Sequence, residues 1–162
     1  MKPAPGAVMM RSDVVRKRLF QVPLTERLPP ATYTPDSSRR VYAVLADGAR
    51  RALVAGYSVC VDGVFARPEE RAMIETVAKS AGAPFTGIWL DAPLAIREAR
   101  VSARMNDASD ANSAVARVQE SFDVGPLSWR RVDASGSVDQ TLEKARQVGL
   151  PPSALARWVE PS

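Results

Sequence analysis

Apolar runs of strand length alternate along this chain with longer segments of helical period, and that alternation restricts the fold more than any single motif does. Residues 7–10 read as a first strand and 13–20 as a short helix. Three prolines, Pro23, Pro29 and Pro30, make 21–33 a loop. Thr34-Pro35-Asp36 is a helix start, with a capping hydroxyl, a first-turn proline and an acid near the dipole's positive end. Val41, Leu45, Ala49, Ala52 and Leu53 then share one helical face, and Gly56 is a stop. A strand over 58–61, a helix over 68–81 ended by Gly82, and a strand over 85–90 follow. Beyond Asp91-Ala92-Pro93 the pattern predicts a helix to 104, a polar turn-rich stretch over 106–112, and a helix to 122. A last short strand at 131–133 precedes a helix capped by Ser137 that runs to 148. The order predicts an open parallel α/β sheet with flanking helices and crossover connections.

The 162 residues are most simply one domain, with a hydrophobic fraction of 46% and a charged fraction of 25%, ordinary for a globular protein. No apolar run reaches the roughly 20 residues that span a bilayer. The first residues, Met-Lys-Pro-Ala-Pro-Gly, lack the apolar centre of a signal peptide, so a cytoplasmic protein is expected. Cys60 has no second cysteine to pair with and falls inside an apolar strand, where packing explains it. Histidine is absent, which removes Ser-His-Asp and Cys-His triads and any His-ligated metal. A catalytic base must then be a carboxylate or a rarer group. The net charge of +4 is mostly arginine; the only lysines are Lys2, Lys17, Lys79 and Lys144.

Four places could carry chemistry. Asp62 ends the 58–61 strand, at the carboxyl edge where open α/β sheets bind ligands, with Arg67 and Arg71 just beyond it. A carboxylate there can hold hydrated Mg²⁺ and the arginines phosphate oxygens; equally, Asp62 can end the strand by bonding turn amides, with the arginines solvated. Asp13 follows the first strand beside Arg11, with Arg16 near it on the helix. It can take a proton from a substrate hydroxyl, or it can merely cap the helix. Arg97, Arg100 and Arg104 line one helical face before a polar segment, as in a lid closing over a phosphate, or as a solvated face. Ser135 and Gly136 follow the last strand, where backbone groups can pack on a nucleotide base or simply form a strand-to-helix turn.

Taken in order, several segments resemble the small P-loop kinases of the gluconate-kinase, zeta-toxin and polynucleotide-kinase type, and the related ATP-binding domain often fused to an aminoglycoside-phosphotransferase-like domain. They are Arg-Ser-Asp-Val-Val-Arg-Lys-Arg-Leu at 11–19, Val-Asp-Gly-Val-Phe-Ala-Arg-Pro-Glu-Glu-Arg at 61–71 and Trp-Leu-Asp-Ala-Pro at 89–93. Arg-Val-Ser-Ala-Arg at 100–104, Asp-Ala-Ser-Asp-Ala at 107–111 and Val-Asp-Ala-Ser-Gly at 132–136 complete the set. The resemblance covers about 6–149, which makes 1–150 a kinase-like domain and 151–162 a tail. It implies ATP and Mg²⁺ as cofactors and transfer of a phosphoryl group to a small-molecule hydroxyl. Asp13 would be the base or the substrate-binding carboxylate, with Arg11, Arg16 and Arg67 on the substrate, Asp62 on the metal, Arg100 and Arg104 as lid arginines, and Ser135 and Gly136 on the nucleotide.

Such kinases carry the loop G-x-x-x-x-G-K-[ST], whose amides wrap the phosphates and whose lysine and hydroxyl reach the terminal phosphate and the metal. No lysine here follows a glycine, and the family's second strand corresponds to residues 7–10. The resemblance therefore implies a sheet missing its first strand and phosphate loop. In the family order 2-3-1-4-5 that strand is central, so a four-stranded sheet is expected, either closed up or gapped. A gap exposes strand edges and invites self-association. Two readings follow: a small-molecule kinase, inactive or impaired as written or begun at a start codon too far downstream, or a non-catalytic remnant serving as an interaction module. Nucleic-acid binding ranks below both, because the arginines are spread out without interleaved aromatics.

Overall fold

The computed structural model describes residues 6–103 and 108–149. Among them four strands alternate with helices: β1 (Ala7–Arg11), α1 (Ser12–Leu19), α2 (Pro35–Val54), β2 (Ser58–Asp62), α3 (Pro68–Ser80), β3 (Ile88–Asp91), α4 (Leu94–Ala103), α5 (Ser113–Glu120), β4 (Arg130–Asp133) and α6 (Val138–Gln147). All pairing is parallel, as the strand-helix alternation requires. The strands do not form one sheet. β1 pairs with β2 and β3 pairs with β4, giving two separate two-stranded ladders. The registers set Arg11 opposite Asp62 in the first and Asp91 opposite Asp133 in the second.

Local sequence accounts for the helix starts. Thr34 caps α2 by accepting from the Ser37 amide at 3.1 Å, while the Ser37 hydroxyl receives the Thr34 amide at 3.0 Å. Ser137 accepts from the Gln140 amide at 3.2 Å and Gln140 reaches back to the Ser137 amide at 2.8 Å. Helix α2 buries Val41, Leu45 and Ala49 as its periodicity predicts, together with Tyr42 and Ala46. Val41, Tyr42, Leu45 and Ala49 join Phe65 and Ile74 in the main core, against which Met10, Val59, Val61 and Trp129 pack.

The third strand begins at Ile88 rather than at 85, and the cause is aromatic packing. Phe85 turns its ring toward Trp129, centroids 5.8 Å apart, and Trp129 in turn stacks at a tilt on Phe65 at 5.1 Å. Gly87 lies against the indole face: a Cβ there would fall 2.5 Å from Trp129 Cγ. Gly87→Ala must displace a ring that also donates Nε1–H to Glu75 at 2.6 Å. A destabilisation of about 1–3 kcal/mol is expected, read from urea denaturation midpoints.

Candidate functional site

The β1–β2 register gathers the first group of candidate residues at one carboxyl edge. Arg11 and Asp62 are directly opposite, and Arg11 Nε lies 3.4 Å from Asp62 Oδ2. Asp13 stands in the first turn of α1. It does not cap that helix, because the cap position is Arg11, so the capping explanation of Asp13 fails. Its carboxyl is pushed above the usual aspartate range, first by burial, with Asp62 and Asp110 adding repulsion. The Ser109 hydroxyl bonds to it and Arg11 lies near, and both act the other way. A partly buried carboxylate with a raised pKa, next to a second carboxylate, is chemically suited to exchange a proton with a hydroxyl.

The loop after Asp62 holds this edge together. Gly63 passes close to α1 and α2: a Cβ would sit 3.3 Å from Ser12 Oγ and from the Tyr42 hydroxyl. Phe65 adopts a left-handed backbone, φ +46°. That conformation costs about 1–2 kcal/mol for a non-glycine residue, offset here by burial of the ring and by donation of its amide to Tyr42 Oη at 2.8 Å.

Arg71 proves to be a structural clamp rather than a phosphate ligand. It is buried, and its guanidinium donates to the carbonyls of Phe65 at 2.7 Å, Ala66 at 3.0 Å, Val124 at 2.5 Å and Pro126 at 3.1 Å. Arg16 is likewise engaged within the fold. It reaches the Thr32 carbonyl at 3.3 Å and the hydroxyls of Ser37 at 3.1 Å and Ser38 at 3.2 Å, over the Tyr33 ring. Arg67, at the cap position of α3, is exposed and remains open to a ligand.

The second group gathers at the other ladder. Arg100 donates to the Ala134 carbonyl at 2.6 Å and to the Gly136 carbonyl, so it fastens the turn that contains Ser135 and Gly136. The Ser135 amide donates to Asp133 Oδ1 at 2.9 Å in the same turn. Arg97 pairs with Glu120 of α5. In this arrangement neither arginine points a free guanidinium at Asp62. Arg104 lies outside the described residues, as do 106, 107 and the tail from 151. Cys60 is half-buried, and burial raises its thiol pKa, in keeping with a packing role.

One buried node escaped the sequence reading. Lys17, 1% exposed, donates to the carbonyls of Leu24 at 2.8 Å and Glu26 at 2.7 Å and pairs with Asp110 Oδ1 at 3.0 Å. Asp110 Oδ2 accepts from the Leu28 amide at 2.9 Å and the Tyr33 hydroxyl at 2.8 Å. Burial alone would raise the Asp110 pKa, but those bonds outweigh it and hold the carboxyl below the usual range. The node fastens the segment bearing Ser109 over Asp13. Its only signal in the sequence was the Asp-Ala-Ser-Asp string at 107–110.

No group of three or more potential metal-ligating side chains occurs among the described residues. No helix among them is long and apolar enough to cross a membrane. Comparison with known families matches residues 1–123 to the AAA domain. No curated protein matches the chain. Among solved structures, the tunicamycin resistance protein of Deinococcus radiodurans is similar at 17% identity, over 92% of this chain and 84% of that one, with a TM-score of 0.50. At that identity the likeness concerns the fold alone.

Proposed function

The chain belongs to the AAA domain family, and from that premise we propose that it is a kinase-like protein retaining the phosphoryl-acceptor side of its site, with ATP turnover absent or severely impaired as written. The observation that supports this most directly is that Asp13, with a raised pKa, stands near Asp62 at the carboxyl edge of the β1–β2 ladder, where Arg11 and Asp62 are register partners. Asp13 would accept the proton of a small-molecule hydroxyl, and Arg11 and Arg67 would orient that molecule. The P-loop kinases of this family generally use ATP and Mg²⁺. The residues present do not fit a triphosphate: no lysine in the sequence follows a glycine, and among the described residues Asp62 belongs to no group of three or more potential metal ligands. No phosphoryl-transfer step is therefore written through the nucleotide.

The nucleotide is the test. A ligand at 100 times its Kd adds about 2.7 kcal/mol to stability, a rise of several degrees for a chain of this size. Millimolar Mg-ATP is expected to leave the melting temperature unchanged; a saturable rise would overturn the impaired-turnover reading. A second expectation concerns Asp13. Its raised pKa means that its favourable contribution is complete below pH 3.8, the ordinary value, and is lost as pH rises through the folded value. Asp13→Asn should therefore stabilise the protein at pH 7, by about 0.5–2 kcal/mol, and the gain should vanish in acid. Equal melting temperatures for the two proteins at pH 7 would count against Asp13 as a strained functional carboxylate.

The alternative is a non-catalytic interaction module. Its support is that, among the described residues, β2 and β3 each pair with one strand only.

A further inference from the structure

The carboxylate of Asp110 is enclosed by donors that all come from one short stretch of chain. Lys17 Nζ lies 3.0 Å from Oδ1, and the Leu28 amide and the Tyr33 hydroxyl donate to Oδ2 at 2.9 and 2.8 Å. Asp110 itself arrives from 82 residues beyond Leu28. Each donor has a second hold that does not involve it. The carbonyls of Leu24 and Glu26 anchor the Lys17 ammonium. Tyr33 is fixed by its amide, which donates to the Pro30 carbonyl at 3.0 Å, and by its ring, which the Arg16 guanidinium covers at 4.9 Å. Thr32, Ser37 and Ser38 lock Arg16 in turn, and the Leu28 side chain is buried. The donors are therefore in place without the carboxylate. One ammonium, one amide and one hydroxyl around two oxygens match a planar monoanion with two acceptor atoms.

We propose that residues 17–33 form a preassembled carboxylate-binding cradle, and that residues 108–112 are a strap closed over Asp13 by Asp110, inserted into the cradle as a tethered ligand. The neighbours of Asp110 in the strap fit this arrangement. On one side the Ser109 hydroxyl bonds to Asp13. On the other, Asn112 caps α5 by accepting from the Val115 amide at 3.0 Å. The charge of Asp110 repels the Asp13 carboxylate, so it is the cradle, and not attraction to Asp13, that keeps the Asp110 end of the strap down. Asp110 is thus a positioning residue, acting on Asp13 through Ser109.

Were Asp110 only half of a core ion pair, removing it would collapse its surroundings. With donors held independently, removal leaves a site for one small carboxylate. The proposal rests on these distances and not on the phosphoryl-transfer reading, so the Mg-ATP experiment can fail without touching it.

The test is rescue of Asp110→Gly by formate. Sodium formate up to about 0.3 M should raise the melting temperature of this variant saturably, by several degrees beyond the shift in wild type, whose cradle is filled. Chloride and phosphate at equal ionic strength should move both proteins alike. The Leu28 amide should lose its protection from exchange in the variant and regain it with formate, while 109–111 stay fast because formate is not joined to the strap. Adding Tyr33→Phe removes one donor and should weaken formate about tenfold. A formate response no larger than that to chloride or phosphate, an unchanged affinity with Tyr33→Phe, or return of protection to 109–111 together with Leu28 would overturn the proposal. Should Asp110→Gly not fold, wild type alone decides. Its Leu28 amide and those of 109–111 should exchange together, with protection about tenfold or more below that of amides 41–49 in α2. Exchange only in step with α2 would mean that no strap lifts on its own.

Discussion

Lys17→Met is expected to destabilise the protein by about 3–5 kcal/mol, because breaking a buried ion pair from one side leaves the other charge without compensation. The methionine stem keeps most of the packing, so the loss reports the charge and its hydrogen bonds. The carbonyls of Leu24 and Glu26 lose their donor at the same time. For a chain of this length the melting temperature should fall by roughly 10 °C. Adding Asp110→Leu should restore only part of the loss, since the Leu28 amide and the Tyr33 hydroxyl then lose their acceptor. The sign of the acid response follows from the lowered Asp110 pKa. Its contribution is present above pH 3.8 and disappears as pH falls through the folded value. Asp110→Asn should flatten that part of the acid unfolding curve, as followed by circular dichroism; an unchanged curve would show that the node carries little stability.

Arg71→Met should be comparably damaging, at about 3 kcal/mol or more, since hydrogen bonds from a charged donor contribute about 1.5–3 kcal/mol each and four carbonyls lose theirs together. Arg71→Lys should recover only a fraction. An ammonium cannot fork between the 65–66 loop and the 124–126 loop as a planar guanidinium does. Urea denaturation of both variants decides it: equal midpoints for lysine and arginine would mean that charge alone suffices and that the fork is irrelevant.

These two residues also mark where reading the sequence stops being informative. The starts of α2 and α6 were legible because Thr34, Ser37, Ser137 and Gln140 act within one turn. The core face of α2 was legible because its spacing is periodic, although Tyr42 was not, since a tyrosine does not declare which hydroxyl partner it will find. The placement of Asp13 and Asp62 after strands followed from the strand-helix order, whereas the pairing of Arg11 with Asp62 did not. Nor did the roles of Arg71, Arg16 and Lys17, because their partners are backbone carbonyls and hydroxyls and, for Lys17, also the distant carboxylate of Asp110. A backbone carbonyl has no identity in a sequence, so an arginine that seeks one looks the same as an arginine waiting for phosphate. The start of β3 was misplaced for a related reason: Phe85 has the composition of a strand residue, but Trp129 draws its ring elsewhere.

The division into two ladders bears on how the molecule folds. Among the described residues no hydrogen bond from backbone to backbone joins the part before residue 84 to the part after it. Among the described residues the side-chain joints between the parts include the Arg71 fork, the Trp129 contacts with Phe65 and Glu75, the Asp110 node and the Asp13–Ser109 bond. Folding units joined in this way should open separately. The first contains nearly all of the main core and should be the last to exchange its amides, while β3, β4 and α6 open at lower free energy. Trp129 sits on the seam, so its fluorescence should change when the second unit lifts off, while Tyr42, Leu45 and Ala49 still hold the first.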